Sequence, residues 1–175
     1  MANIFKLVPL ILAWETNKYT ENPHDRGGAT KFGVTVSTWQ SCGYDKNHDG
    51  HIDKEDVKLL TPDDYHFVLN SFWNSWKADK INNQSVANIL VDWVWGSGAW
   101  GIKIPQRILG VVQDGLVSND GATIQAVNNY NQIILFSLIK EARIKFVNDI
   151  CISHPDQLVN KQGWLNRINS FKYSA

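Results

Sequence analysis

Two cysteines, one methionine and five prolines in 175 residues are small numbers, and each shortage excludes something. Cys42 and Cys151 lie far apart with no CxxC spacing, which excludes a zinc ribbon and a disulfide-rich scaffold. They leave at most one bridge, and both read as buried thiols. Net charge is absent too: 17 basic residues balance 17 acidic ones, so there is no long-range attraction to nucleic acid or anionic lipid. No apolar run approaches the roughly 18 residues that span a bilayer. The short apolar stretch Leu7 to Ala13 lacks a basic leader and a small-residue cleavage site, and it runs straight into Trp14 and Glu15. It therefore reads as a mature amphipathic helix and not as a signal peptide, which implies synthesis in the cytoplasm. Alternating strand patterns are nearly absent, as are HExxH spacing and serine or cysteine nucleophile motifs.

What is present is one ordinary globular chain, 43% hydrophobic, long enough to bury about two thirds of its unfolded surface without cross-links. Most of it reads as helix, so the expected fold class is all-α with at most a small β-hairpin around Lys31 to Val36. Ile4, Val8, Ile11 and Glu15 share a helical face, with Pro9 expected to kink or restart the helix. Thr61, Pro62, Asp63 and Asp64 combine a cap, an N1 proline and first-turn acids, and open a helix to about Trp76. Further helices are expected from Asn83 or Ser85 to Trp95, from Trp100 to Leu109 with a stop at Gly110, from Tyr130 to Ile150, and from Gln162 to Phe171.

The first residues with chemistry in them are Glu15 and the run Tyr19, Asn22, Pro23, Asp25, Gly27, Gly28, Thr30, Gly33 and Thr35. At the end of an apolar stripe, Glu15 is turned toward the protein, and the negative end of the helix dipole disfavours its anion. Both suit a general acid working near neutral pH. The plainer alternative is a surface glutamate at a frayed helix end. Asp25 on its own is an Asx-turn acid. Beside Glu15 and the Thr30 hydroxyl it fits glycoside hydrolysis, in which one carboxyl protonates the glycosidic oxygen and a second group handles the opposite face.

A second constellation runs from Asp45 to Asp56. Asp45, Asn47, Asp49, Asp53 and Asp56 place side-chain oxygens at loop positions 1, 3, 5, 9 and 12, Gly50 stands at 6, and His51 offers its backbone carbonyl at 7. This is the EF-hand calcium pattern. Aspartate at the last position reaches less far than glutamate and resembles dockerin loops. The alternative is a solvated acidic turn. Either way the loop is read as a structural staple with no catalytic cofactor. Trp93, Trp95 and Trp100 cluster around Gly96, Ser97 and Gly98; with Tyr19 they are candidates for stacking on sugar rings, while core packing accounts for most of the eight tryptophans.

Glu15 to Tyr19, followed by Asn22-Pro23-His24-Asp25-Arg26-Gly27-Gly28-Ala29-Thr30-Lys31-Phe32-Gly33-Val34-Thr35, resembles the signature of the glycoside hydrolase family 108 muramidases, lysozyme-like enzymes often found in prophages. Asp92 to Gly98, Gln106 to Gly110, Asp114-Gly115, Gly121 to Thr123, and Gly163-Trp164 with Arg167 resemble the peptidoglycan-associated second half of these proteins. The resemblance implies a lysozyme-like helical fold. Residues 1–80 would form the catalytic segment with the inserted EF-hand-like loop 45–56, and residues 81–175 a helical peptidoglycan-associated segment in the same globule. It implies Glu15 as the catalytic acid and, more distantly, Asp25 and Thr30 as the groups that stabilise the cationic centre and position water. It also implies bacterial peptidoglycan as the partner and a monomer acting at the cell wall as an endolysin. The chain departs from the family at Thr16, Asn17 and Lys18, which replace a glycine pair. That departure is the feature favouring the competing reading, a calcium-stabilised peptidoglycan-binding protein without catalysis.

Overall fold

The computed structural model describes residues 1–21 and 28–174. The expectation for Asp25 falls outside the described residues. The chain divides into two compact units, Ile4–Ser71 and a second made of Met1–Asn3 with Phe72–Ala175.

In the first unit a 3-10 turn at Ile4–Lys6 leads into α1 (Val8–Leu12), where Pro9 sits in the first turn and costs no helical hydrogen bond. The restart expected at Pro9 is thus seen. The continuation of the helix to Glu15 is not: Ala13, Trp14 and Glu15 form turns, with the Trp14 and Glu15 N–H groups donating to the Ile11 and Leu12 carbonyls. Three short antiparallel strands follow, β1 (Thr20–Glu21), β2 (Ala29–Lys31) and β3 (Val34–Thr35), in the order β1-β2-β3. The hairpin falls near where it was expected, but β1 is an addition. With only Thr20 opposite Thr30 and Glu21 opposite Ala29, it is too short to show alternation in sequence. Thr35 then caps α2 (Val36–Cys42), accepting from the Thr38 N–H. Asp53 opens α3 (Lys54–Leu59) in a capping box with Asp56, and a Thr61–Asp64 box opens a 3-10 turn leading into α4 (Tyr65–Ser75). Cys42 is half-buried, not buried as expected; both cysteines are free thiols.

In the second unit α5 (Gln84–Ser97), capped by Asn83, is buried without a break from Ser85 to Val94, so every face of it is core. It runs through Gly96, past the expected stop at Trp95. Around it lie α6 (Trp100–Leu109, closed by Gly110), α7 (Ala122–Asn129), α8 (Gln132–Ser153) and α9 (Leu158–Ser170). A side chain at Gly101 would lie 2.5 Å from the Val94 nitrogen, so glycine is what lets α6 close on α5. Asp92, with no solvent exposure, joins three helices. Its Oδ2 accepts from Arg143 on α8 at 2.8 Å, and its Oδ1 accepts two bonds from Arg167 on α9, at 3.0 and 2.7 Å. No helix among the described residues is long and apolar enough to cross a membrane.

A second buried acid, Asp64, carries a pH dependence. Burial pushes its pKa up, but bonds from the Thr61 backbone and hydroxyl, the Lys46 ammonium at 2.9 Å and the Tyr44 hydroxyl outweigh that and hold it below the ordinary aspartate value. A carboxylate with a lowered folded pKa adds stability above its unfolded value, about 3.9, and loses it as pH falls through the folded value. Asp64→Asn is expected to cost about 1–3 kcal/mol at pH 7. In denaturant titrations the gap from wild type should close below about pH 4; a pH-independent gap would mean that the charge contributes nothing.

Candidate active site

Glu15 stands beyond the end of α1, half-buried. Its position is therefore set by the turn after the helix and not by a helical face, which corrects the sequence expectation. The side chain is fitted against the β2–β3 turn. The two-residue connection, Phe32 and Gly33, has φ of 53° and 72°, the type I′ geometry that suits the twist of a hairpin. A Cβ on Gly33 would stand 2.7 Å from Glu15 Oε2 and 3.3 Å from its carboxyl carbon, so the bare Cα of Gly33 is the surface on which the carboxyl rests. Phe32, buried to 7% exposure, donates its N–H to the Thr16 carbonyl at 2.9 Å. The turn is thereby strapped to the residue next to Glu15. The unusual Thr16-Asn17-Lys18 segment makes its own local turn, the Lys18 N–H donating to Thr16 Oγ1 at 3.2 Å.

Thr30 lies in the middle strand, opposite both Thr20 and Thr35, and its hydroxyl donates to the Gly28 carbonyl at 3.3 Å. Tyr19 donates its hydroxyl to Glu21 Oε2 at 3.1 Å and lies under the Lys58 ammonium.

In the loop from Asp45 to Asp56 the acids serve the backbone. Asp45 accepts from the N–H groups of His48, Asp49 and Gly50, and buried Asp56 from those of Lys46, Asn47 and Asp53. Burial pushes Asp56 up, and these N–H bonds outweigh it, so its pKa lies below the ordinary value. Gly50 has φ 92°, the left-handed turn required of the sixth loop position. Asn47 donates to Asp49 Oδ2. Among the described residues no group of three or more His, Cys, Asp or Glu side chains converges as a metal cluster.

The tryptophans do not form one exposed platform. Trp93 is 1% exposed and meets Phe146 edge-on, whereas Trp100 is 56% exposed. Trp93 and Trp95 line a cavity of about 170 Å³ together with Phe146, Trp164, Arg143 and Arg167; Trp100 is not part of its lining. Arg143 escaped the sequence reading, although a signal was there. It sits between Ile139 and Val147 at spacings of four, a charge in the middle of a buried stripe.

Residues 8–98 match the family Glycosyl hydrolase 108, and residues 100–169 match the Predicted Peptidoglycan domain. The chain belongs to the Glycosyl hydrolase 108 family. It is a glycoside hydrolase that acts on peptidoglycan. No curated protein compared with it matches. A solved structure described as that of Brucella abortus SagA is similar in fold, at 23% identity and TM-score 0.64, over 98% of this chain and 97% of that one. The Glycosyl hydrolase 108 match takes in Glu15, the hairpin, the loop 45–56 and α5. The boundary between the two matches, at 98–100, falls inside the compact unit Phe72–Ala175. Asp92 thus comes from the hydrolase match, and its two arginines from the peptidoglycan match.

Gly33→Ala tests the seating of the carboxyl. The left-handed φ costs alanine about 1–2 kcal/mol, and the added methyl must displace the Glu15 carboxyl. If Glu15 is a reacting group, lysis of purified murein should fall by about tenfold or more while the protein still folds, since such groups are sensitive to displacements near 1 Å. Full activity in a folded Gly33→Ala would show that the contact has no part in catalysis.

Proposed function

We propose that the protein is an N-acetylmuramidase in which Glu15 is the general acid. The observation that carries this reading is the Glu15 carboxyl seated on Gly33 in a hairpin turn strapped to Thr16. A general acid must be held in one place to hand its proton to a glycosidic oxygen. In the proposal Asp25 stabilises the developing oxocarbenium centre, Thr30 positions water, and Tyr19 and the exposed Trp100 supply aromatic contacts to the glycan; Trp93, at 1% exposure, and Trp95 wall a separate cavity and are not given that part. The enzyme works at the cell wall as a monomer, in the manner of a prophage endolysin. The competing reading, a binding protein without catalysis, draws on the lost glycine pair at Thr16 to Lys18. Against it stands the use of Thr16 itself: its carbonyl anchors the hairpin, so the altered segment still supports the seat of Glu15.

Glu15→Gln keeps the size and removes the transferable proton. It should lower the clearing of a purified murein suspension by about 10²- to 10⁴-fold with an unchanged melting midpoint. Asp25→Asn should cost more activity than Thr30→Ala, which acts only through water. Wild-type clearing rates in Glu15→Gln would remove it as the acid, and a wild-type protein that binds murein without clearing it would favour the competing reading.

The proposal also gives the loop 45–56 a structural calcium ion, held by Asp45, Asn47, Asp49, the His51 carbonyl and Asp56, with Asp53 at the ninth position. What supports it is the donor set together with the Gly50 turn. A carboxylate oxygen that accepts an N–H bond has a second lone pair for a cation. Aspartate at the last position makes for weaker binding than in sensor loops. Calcium at a hundredfold excess over its dissociation constant should stabilise chelator-treated protein by about 2.7 kcal/mol, an effect absent in Asp45→Ala/Asp49→Ala. A melting midpoint unmoved by millimolar calcium would contradict it.

A further inference from the structure

The cavity in the Phe72–Ala175 unit is built from two kinds of surface. Trp93, Trp95, Phe146 and Trp164 form aromatic walls, Ile150 contributes an aliphatic one, and the Arg143 and Arg167 guanidiniums supply its only formal charge among the described lining residues. The acid that pairs with both arginines is turned away from it: Asp92 has no exposure and does not line the cavity. A ligand entering here meets cations backed by a hidden anion.

Arg143 is the group that calls for a ligand. It is 6% exposed, and it lies over the Trp93 and Phe171 rings at 5.8 and 5.9 Å. It donates to the Ile89 carbonyl at 3.3 Å and to Asp92 Oδ2 at 2.8 Å. Those two bonds leave part of the N–H complement of a guanidinium without a protein acceptor among the described residues. Burying a charged donor is costly, and that burial pushes the Arg143 pKa down against the pull of Asp92. An acceptor with negative charge answers both needs, and a carboxylate matches the planar fork of arginine in shape.

We propose that this cavity binds a small aliphatic carboxylate, the free alanine end of a peptidoglycan peptide stem, with the carboxylate on Arg143 and the methyl group against the tryptophan walls. The inference rests on peptidoglycan as the polymer. It gives the second half of the chain a job separate from bond cleavage: holding the peptide while another part of the protein works on the glycan. A volume of about 170 Å³ suits one such residue with its carboxylate. The walls come from α5, α8 and α9, so the site exists only when residues of both family matches fold together.

The test uses the full chain and the fluorescence of the tryptophans that line the cavity. The probe is diacetyl-L-lysyl-D-alanyl-D-alanine, compared with its C-terminal amide. The acid should give a saturable change, and the amide should bind about tenfold or more weakly, the loss expected for one charge-assisted hydrogen bond. Arg143→Met should lose the response, but it also strips Asp92 of a partner. Ile150→Trp therefore serves as the second variant: it fills the cavity without touching the ion cluster and should abolish the response at an unchanged melting midpoint. Equal binding of acid and amide would overturn the proposal, as would no saturable change in wild type at millimolar peptide, or a response persisting in folded Ile150→Trp. The comparison of acid with amide needs no variant. Murein clearing by wild type, measured separately, tells failure of this site from failure of the hydrolase reading.

Discussion

Within the unit Phe72–Ala175, a carboxylate sealed from solvent holds three helices to one another. Asp92 on α5 accepts from Arg143 on α8 and Arg167 on α9, and α5 is buried on all sides from Ser85 to Val94. Removing one member of a buried ion cluster leaves the others without compensation, at a cost of about 3–5 kcal/mol, a large share of the stability of an ordinary domain. The same arrangement decides what the cavity beside it presents. With the anion behind and the guanidiniums in front, the aromatic pocket has a positive wall. The packing constraint and the charge of the cavity wall therefore have one origin, and that origin crosses the boundary between the hydrolase match and the peptidoglycan match.

In the unit Ile4–Ser71 the governing constraint is smaller in scale. A hairpin with a two-residue turn needs left-handed φ at both turn positions, and here Gly33 meets that need while leaving its Cα bare under the Glu15 carboxyl. Phe32 takes the more costly left-handed position and repays it by burial and by its bond to Thr16. The acid, the turn and the segment linking them are thus one local assembly.

Much of this was legible in the sequence where local rules are strong. The Thr61–Asp64 capping box, the Gly110 stop, the hairpin near Lys31 and the helical character of the second half follow from caps, glycine and periodicity, and the Glu15 to Thr35 signature carried the family. Other features were hidden for physical reasons. α2 and α3 are only seven and six residues long, below the span over which periodicity can be counted, and β1 pairs through two residues. α1 ends at Leu12 because the chain turns to meet the sheet, an effect of tertiary contact that the apolar spacing of Ile4, Val8 and Ile11 could not register. The seat of Glu15 on Gly33 depends on a backbone approach that leaves no side-chain trace, and the pairing of Asp92 with Arg143 spans 51 positions.

The cleavage proposed for this Glycosyl hydrolase 108 protein is on the muramic acid side of the glycan strand. The most direct measurement is mass spectrometry of borohydride-reduced fragments released from purified murein. The account predicts new reducing ends on N-acetylmuramic acid, formed by addition of water. Fragments whose new reducing ends are all N-acetylglucosamine, or glycan strands that stay intact while peptide bonds are cut, would contradict it.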